Sequence, residues 1–122
     1  MGSSLMIKAT FKKLNDSFIE YEVTGHAHYA ESGKDIICAG VSTLFITITN
    51  QLLCKSYVKL HNQRVSILNP NEIDNALVEA LLCGLYDIQQ NYSDHVLVEV
   101  VEVGNMIDAN KVTVGTINLG YD

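Results

Sequence analysis

Two short segments near the N-terminus alternate apolar and polar side chains. The first covers residues 7–12, and in the second Ile19, Tyr21 and Val23 alternate with polar residues. Such alternation is typical of half-buried β-strands. Residues 15–17, Asn-Asp-Ser, supply turn chemistry between them. The pattern therefore predicts a strand pair of the hairpin kind.

The next segment, residues 36–57, is predicted to be a helix. Its β-branched run at 45–49 is compatible with a strand, but no turn residue interrupts about twenty positions, which is too long for a strand. Its apolar residues fall within an arc of about 100° on a helix; they are Ile37, Val41, Leu44, Phe45, Ile48 and Leu52.

The same segment has the length of a membrane span, because no charged side chain occurs from Ile36 to Cys54. However, it contains Asn50 and Gln51, which are costly in lipid. We therefore expect a buried helix of a protein that does not enter a membrane.

Val65 and Ile67 mark a third strand, and residues 61–63 before it are predicted to be a loop. A second helix is expected to follow. Asn69 suits its N-cap, Pro70 its first position, and Glu72 the capping box. The helix is expected to end near residues 91–93, and its apolar face carries Ile73, Leu77, Ala80, Leu81, Gly84, Leu85 and Ile88.

Residues 95–103 form a valine-rich segment that is apolar on both faces, which predicts a central strand. A last strand is predicted to begin at residues 112–114. The order ββαβαββ indicates an α+β sandwich, with two helices packed on a largely antiparallel sheet. Residues 1–122 are expected to form a single domain.

Composition excludes some classes of function. The net charge is −6, and the eight Lys and Arg residues are scattered, so direct nucleic-acid binding is not expected. A basic peptide partner is electrostatically acceptable. The three cysteines form no CxxC pair, and no secretory signal is present, which predicts a reduced cytoplasmic protein. Residues 1–5 before Met6 are expected to be a cloning remnant.

Residues 25–42 concentrate the reactive side chains. Cys38 is predicted to lie in the first turn of the helix, where the helix dipole lowers a thiol pKa and N–H groups face an oxyanion. Asp35 suits the N-cap. On a helix Asp35, Cys38 and Ser42 lie within an arc of about 60°. His26, across a loop, is a candidate general base for this thiol.

Other interpretations of these residues remain open at this point. The position of Cys38 is also typical of a small packing residue, and that of Asp35 is typical of a simple helix cap. Ser42 is equally compatible with packing between helices. His28 is a rival base. With His26 and either Cys38 or Asp35, it also fits a zinc site.

The remaining cysteines and histidines are expected to play no chemical role. Cys54 and Cys83 are predicted to be thiols in the core. His61 and His95 are predicted to lie at the surface or at strand edges.

The motif as a whole resembles the ribosomal-processing cysteine protease family, Prp. The matching positions are Gly25-His26-Ala27, Gly33, residues 35–39 (Asp-Ile-Ile-Cys-Ala) and Val41-Ser42, with twelve positions separating the histidine from the cysteine. Two departures occur. Gly40 stands where a second alanine is expected after the cysteine, and His28 adds an imidazole beside the expected base.

The resemblance implies a small cytoplasmic endopeptidase that removes the N-terminal extension of a large-subunit ribosomal protein. It implies Cys38 as nucleophile and His26 as general base, with Asp35 and Ser42 in support. Gly25, Gly33 and, beside them, His28 would belong to a mobile loop over the peptide. It further implies a homodimer with no metal or organic cofactor. The competing hypothesis is a ribosome-assembly factor that binds the same precursor without cutting it.

Overall fold

A computed structural model describes residues 6–25, 34–104 and 117–118, with the backbone alone for Lys34, Asp35, Ile117 and Asn118. The strands are β1 (Ile7–Leu14), β2 (Ser17–Thr24), β3 (Val58–His61), β4 (Arg64–Ile67), β5 (Val96–Glu102) and β6 (Ile117–Asn118). The helices are α1 (Lys34–Lys55) and α2 (Glu72–Asn91).

The strands form one sheet in the order β3-β4-β2-β1-β5-β6. The β1–β5 pair is parallel, and the other four pairs are antiparallel. The predicted α+β class, with two helices on a largely antiparallel sheet, is confirmed, as is the position of β5 inside the sheet. The predicted strand at residues 112–114 lies outside the described residues.

The third predicted strand belongs to a hairpin. β4 contains Val65 and Ile67, and it pairs with β3, which was predicted in part to be a loop. Asn62 at the turn has a φ of 59°, a conformation that asparagine tolerates well. The structure therefore adds one short strand to the predicted order.

Both helices lie on one face of the sheet. Alternate residues of β1, β2 and β5 form the floor of the core, with Phe11, Tyr21 and Val98 among them. The opposite face of the sheet carries ion pairs such as Lys8–Glu99 and Lys12–Glu20. The result is a two-layer structure with one apolar and one charged sheet face.

The β1–β2 hairpin forms as predicted, with one change in β2. Asn15 and Asp16 at the turn both have positive φ angles, 52° and 68°, as two-residue hairpin turns require. The register shifts between Lys12 and Lys13. Because a bulge reverses the facing of side chains, Phe18 is buried where Ile19 was expected to be.

The helix α2 begins later than predicted. Asn71, rather than Asn69, is the N-cap, and Asp74, rather than Glu72, completes the capping box. Asn69 has a φ of 52° and belongs to the preceding turn. The buried face is also rotated, since Val78 and Leu82 are buried while Ile73 and Ala80 are exposed.

The helix α1 is buried on one face only. The predicted apolar face is confirmed, because its six residues are buried or pack against the core. Hydrogen bonding anchors this face, with the Tyr21 and Thr49 hydroxyls 2.8 Å apart. The opposite face is exposed, so α1 is buried along its predicted apolar face and not on all sides. Among the described residues, α1 is also the one helix apolar and long enough to cross a membrane.

Candidate functional site

The segment that carries the predicted general base begins at Gly25. Gly25 has a φ of +82°, and a Cβ there would lie 2.2 Å from the carbonyl oxygen of Met6. Only glycine fits such a position, so the chain leaves β2 on a path that excludes side chains. His26, His28 and Gly33 lie outside the described residues, and their predicted roles stay predictions.

The helix α1 starts two residues earlier than predicted. The helix begins at Lys34, so Asp35 lies inside the first turn and is not the N-cap. Cys38 is the fifth helical residue and opens the second turn, where the first turn was predicted. It still lies within a turn of the positive helix end, where the dipole favours a thiolate.

Cys38 lies at the boundary between the core and the surface. Its side chain is half-buried and packs against the core cluster. Ser42, one turn further along, is also half-buried. Residues four apart lie one above the other on a helix, so the structure places Cys38 and Ser42 on the same edge. A thiol at such an edge is accessible to a peptide from solvent, as a nucleophile must be.

The two other cysteines contradict our prediction. Both Cys54 and Cys83 are exposed, not buried in the core. Each lies on the side of its helix that faces away from the sheet, which the apolar character of cysteine did not reveal. His61 is exposed at the edge of the sheet, and His95 is half-buried just before β5, which confirms the surface or strand-edge placement.

Metal binding was the alternative use of these side chains. Within the described part of the chain, no group of three His, Cys, Asp or Glu residues is close enough to hold a metal ion. Because His26 and His28 are outside that part, the zinc hypothesis stays a prediction to be tested in solution.

Two features of the fold were missed from the sequence. One is the edge strand β3, whose four residues alternate apolar and polar side chains, a signal that was available. The other is the exposed apolar surface of α1, where Ile36 is 71% exposed and Ile46 is 54% exposed. Large exposed apolar surfaces mark binding sites, and the uncharged stretch from Ile36 to Cys54 was the available signal.

Comparison with known proteins identifies the family. The sequence model described as "Cysteine protease Prp" matches residues 6–97. A Bacillus subtilis protein named ribosomal processing cysteine protease Prp is 27% identical over 107 residues, which covers 76% of this chain and 96% of that protein.

Solved structures share the fold. The structure of SMU.848 from Streptococcus mutans has a TM-score of 0.71 and 30% identity, covering 80% of this chain and 95% of that one. The S. aureus Prp protease, solved with a substrate peptide, has a TM-score of 0.65 and 20% identity, covering 78% of this chain and 99% of that one. The same S. aureus protease was also solved with a covalently linked product peptide. The chain belongs to the Prp family of cysteine proteases.

Proposed function

We propose that this protease removes the N-terminal extension of a large-subunit ribosomal protein precursor during ribosome maturation. The observation that carries the proposal is the half-buried Cys38 near the N-terminus of α1, at the predicted position in the family motif. The Bacillus subtilis relative is named for ribosomal processing, which supports the choice of substrate. The net charge of −6 suits a basic substrate.

In the proposed mechanism the Cys38 thiolate attacks the scissile carbonyl carbon. The C–N bond breaks as the protonated imidazole of His26 donates its proton to the leaving amine. Water then attacks the thioester, gives up a proton to His26, and releases the new carboxylate with the thiolate restored. Asp35 and Ser42 support this pair at the edge of α1, and no metal or organic cofactor takes part.

The test is incubation with purified precursor followed by intact-mass analysis. The Cys38→Ala variant should cleave at least about 10⁴-fold more slowly, because a thiolate nucleophile cannot be replaced by a methyl group. Cys83→Ala, which removes an exposed thiol of α2, is the matched control and should cleave normally. Substantial cleavage by Cys38→Ala would reject the assignment.

The choice of base is tested in the same assay. His26→Ala should lose activity about 10²-fold or more, as removal of a general base does, and His28→Ala should lose far less. Equal losses would show that the base is wrongly assigned. Precursor that binds without a change in mass would favour the assembly-factor hypothesis, and zinc found by metal analysis would favour the metal site.

The proposed working form is a cytoplasmic homodimer. What supports a dimer is the exposed face of α1, which carries no charged side chain between Ile36 and Cys54. The same face carries three small residues, Ala39, Thr43 and Thr47, in line with Ile36. A second copy of α1 could approach closely there and cover the apolar surface. Sedimentation equilibrium would reject the proposal if the protein stays monomeric at about 100 times its working concentration.

A further inference from the structure

The β3–β4 hairpin has a charge opposite to that of the chain as a whole. The chain has 14 Asp and Glu residues and a net charge of −6, yet no acidic residue occurs between Ile36 and Asn71. Three of its eight Lys and Arg residues lie within a short stretch of this segment, namely Lys55, Lys59 and Arg64. The hairpin and the end of α1 that leads into it therefore form a basic region in an acidic protein.

Two of these three cations have no ionic partner among the described residues. Arg64 pairs with Glu20 and Glu22 on the neighbouring strand β2. Lys55 and Lys59 are both exposed, and they make no ion pair in the part of the chain that the structure describes. The positive charge that is available to a ligand is therefore at these two lysines.

A tyrosine and a leucine accompany the lysines at the surface. Side chains alternate along a strand, and Val58 packs against the core, so Tyr57 and Lys59 face the side of the sheet away from the helices. Leu68 donates its backbone N–H to the carbonyl oxygen of Tyr57 at 3.0 Å. This bond extends the β3–β4 ladder by one pair, which places both side chains on the same face. Tyr57 is 79% exposed and Leu68 is 49% exposed.

We call the surface formed by Tyr57, Lys59 and Leu68, with Lys55 beside it, the hairpin face. It is separate from the proposed catalytic thiol. Cys38 and Lys55 are about 25 Å apart along the axis of α1, at 1.5 Å per residue. The hairpin face is also on the side of the sheet opposite the helices. The proposed cleavage reaction therefore does not explain this surface.

The charge and the aromatic ring together select the kind of partner. An exposed tyrosine supplies apolar contact area, and tyrosines are enriched among the residues that dominate binding energy at protein interfaces. The lysines on either side of it in the sequence, Lys55 and Lys59, are complementary to carboxylates. An acidic peptide segment that also carries apolar side chains satisfies both features.

Two other occupants suit the hairpin face less well. A nucleic acid needs several phosphate contacts, whereas only two lysines are unpaired here, and Glu20 and Glu22 lie on the adjacent strand of the same sheet face. In a two-fold dimer centred on this face, the lysines of one copy would lie close to the same lysines of the other. Both arrangements place like charges together.

We propose that the hairpin face binds an acidic segment of a partner protein in which carboxylates flank an apolar side chain. The apolar side chain would pack against Tyr57 and Leu68, and the carboxylates would pair with Lys55 and Lys59. Because the surface is remote from Cys38, a partner bound there would hold the protein without occupying its thiol.

The first test compares two synthetic peptides by fluorescence anisotropy. The probe is a fluorescein-labelled peptide in which glutamates alternate with leucine and phenylalanine, and its control has glutamine in place of every glutamate. The acidic peptide should bind at least about tenfold more tightly than the control, and its affinity should fall as salt is added, because the ion pairs are screened. Equal affinities would overturn the inference, since the protein as a whole repels an acidic peptide.

The second test uses two pairs of variants at exposed positions. Tyr57→Ala should raise the Kd of the acidic peptide about tenfold or more, whereas Tyr92→Ala, at the end of α2, should leave it within about twofold. Lys59→Glu should also raise this Kd about tenfold or more. Lys8→Glu, which changes the net charge equally but lies on β1, should leave it within about twofold.

Three outcomes of these measurements would overturn the inference. One is an equal Kd for a variant and its control. Another is tighter binding of an oligouridylate that displaces the peptide, which would assign the hairpin face to a nucleic acid. The third is a Tyr57→Ala protein that keeps its affinity for the peptide but forms a weaker dimer in sedimentation equilibrium, which would assign the face to a second copy.

Discussion

The two helices lie side by side on one sheet, yet they present opposite surfaces to solvent. The exposed side of α2 carries acidic residues, including Glu72, Glu79 and Asp87. The exposed side of α1 carries Ile36 and Ile46, with no charged residue until Lys55. A helix that only covers a sheet needs one apolar face. The uncharged exposed face of α1 therefore indicates a binding surface, whereas the charged exposed face of α2 is typical of a helix in contact with solvent.

The N-terminal turns of the two helices also differ. The first turn of α2 is closed by a reciprocal capping box between Asn71 and Asp74, which also accepts a hydrogen bond from Ser56. The first turn of α1 leads instead to Cys38 at the edge of the core. One helix start serves stability, and the other positions the thiol that we propose as the nucleophile.

Charge on the exposed face of α1 gives the largest expected effect. Ile36→Glu should weaken a dimer about 100-fold, which corresponds to about 2.7 kcal/mol, because the carboxylate would be buried against a second copy. Ile73→Glu is the matched change on α2, where the isoleucine is 60% exposed against 71% for Ile36. Sedimentation equilibrium measures both, and equal dissociation constants for the two variants would remove the distinction between the helices.

The capping box of α2 predicts a loss of stability of similar size. Asp74 is buried and accepts hydrogen bonds from the backbone N–H of Asn71, at 3.0 Å, and from Ser56. Asp74→Ala should lower the free energy of unfolding by about 2–3 kcal/mol, because it removes a cap and leaves the half-buried Ser56 hydroxyl without this acceptor. Glu72→Ala, in the same turn but exposed, should cost under about 0.5 kcal/mol. Urea denaturation measures both, and equal losses would contradict the role of the cap.

The contact between α1 and the sheet predicts a response to alkaline pH. Burial raises the pKa of Tyr21 to about 12, and the hydrogen bond with Thr49 opposes part of that rise. A tyrosine whose folded pKa is raised stabilises the fold below the unfolded value of 10, and this contribution is lost as the pH rises towards 12.

Tyr21→Phe should therefore cost about 1 kcal/mol at pH 7, by leaving the Thr49 hydroxyl unpaired. Between pH 10 and 12, the free energy of unfolding of Tyr21→Phe should fall by about 2 kcal/mol less than that of the wild type. Thr49→Val keeps the phenol and should keep the steep loss. The free energy of unfolding is measured by urea denaturation at each pH. If it falls equally with pH in Tyr21→Phe and in the wild type, Tyr21 does not ionise on unfolding.

Much of this fold could be predicted because the apolar residues recur with the period of a helix or a strand. The apolar spacing from Ile37 to Leu52 identified both α1 and its buried face. The cap of α2 was misplaced by two residues, since Asn69 and Asn71 both suit a cap and only the turn geometry at Asn69 distinguishes them. The exposure of Cys54 and Cys83 was missed because burial depends on how a helix is rotated against its neighbours.

The site was less predictable than the fold. Cys38 and Ser42 share an edge because helix geometry alone fixes their relation. The approach of His26 to Cys38 depends on eight residues that lie outside the described chain, 26–33, and their sequence has no periodic pattern from which to predict it. The edge strand β3 was missed because its alternating pattern covers only four residues and the polar turn follows directly.

The smallest predicted effect concerns the glycines where α1 and α2 touch. A Cβ on Gly40 would lie 3.6 Å from Cδ1 of Ile88, an ordinary contact, whereas a Cβ on Gly84 would lie 2.9 Å from Cδ1 of Leu44. Alanine is favoured over glycine inside a helix by about 1 kcal/mol. Gly40→Ala should therefore raise the free energy of unfolding by about 0.5–1 kcal/mol.

Gly84→Ala should gain less than Gly40→Ala, because the end of the Leu44 side chain must move to admit the methyl group and part of the helix-propensity gain is lost. Urea denaturation of both variants measures the difference. An equal gain at Gly84 would show that the helices separate at little cost, so that the α1–α2 contact does not hold α1 in its orientation. Since that orientation places Cys38 at the edge of the core, the smallest stability effect tests the packing that positions this thiol.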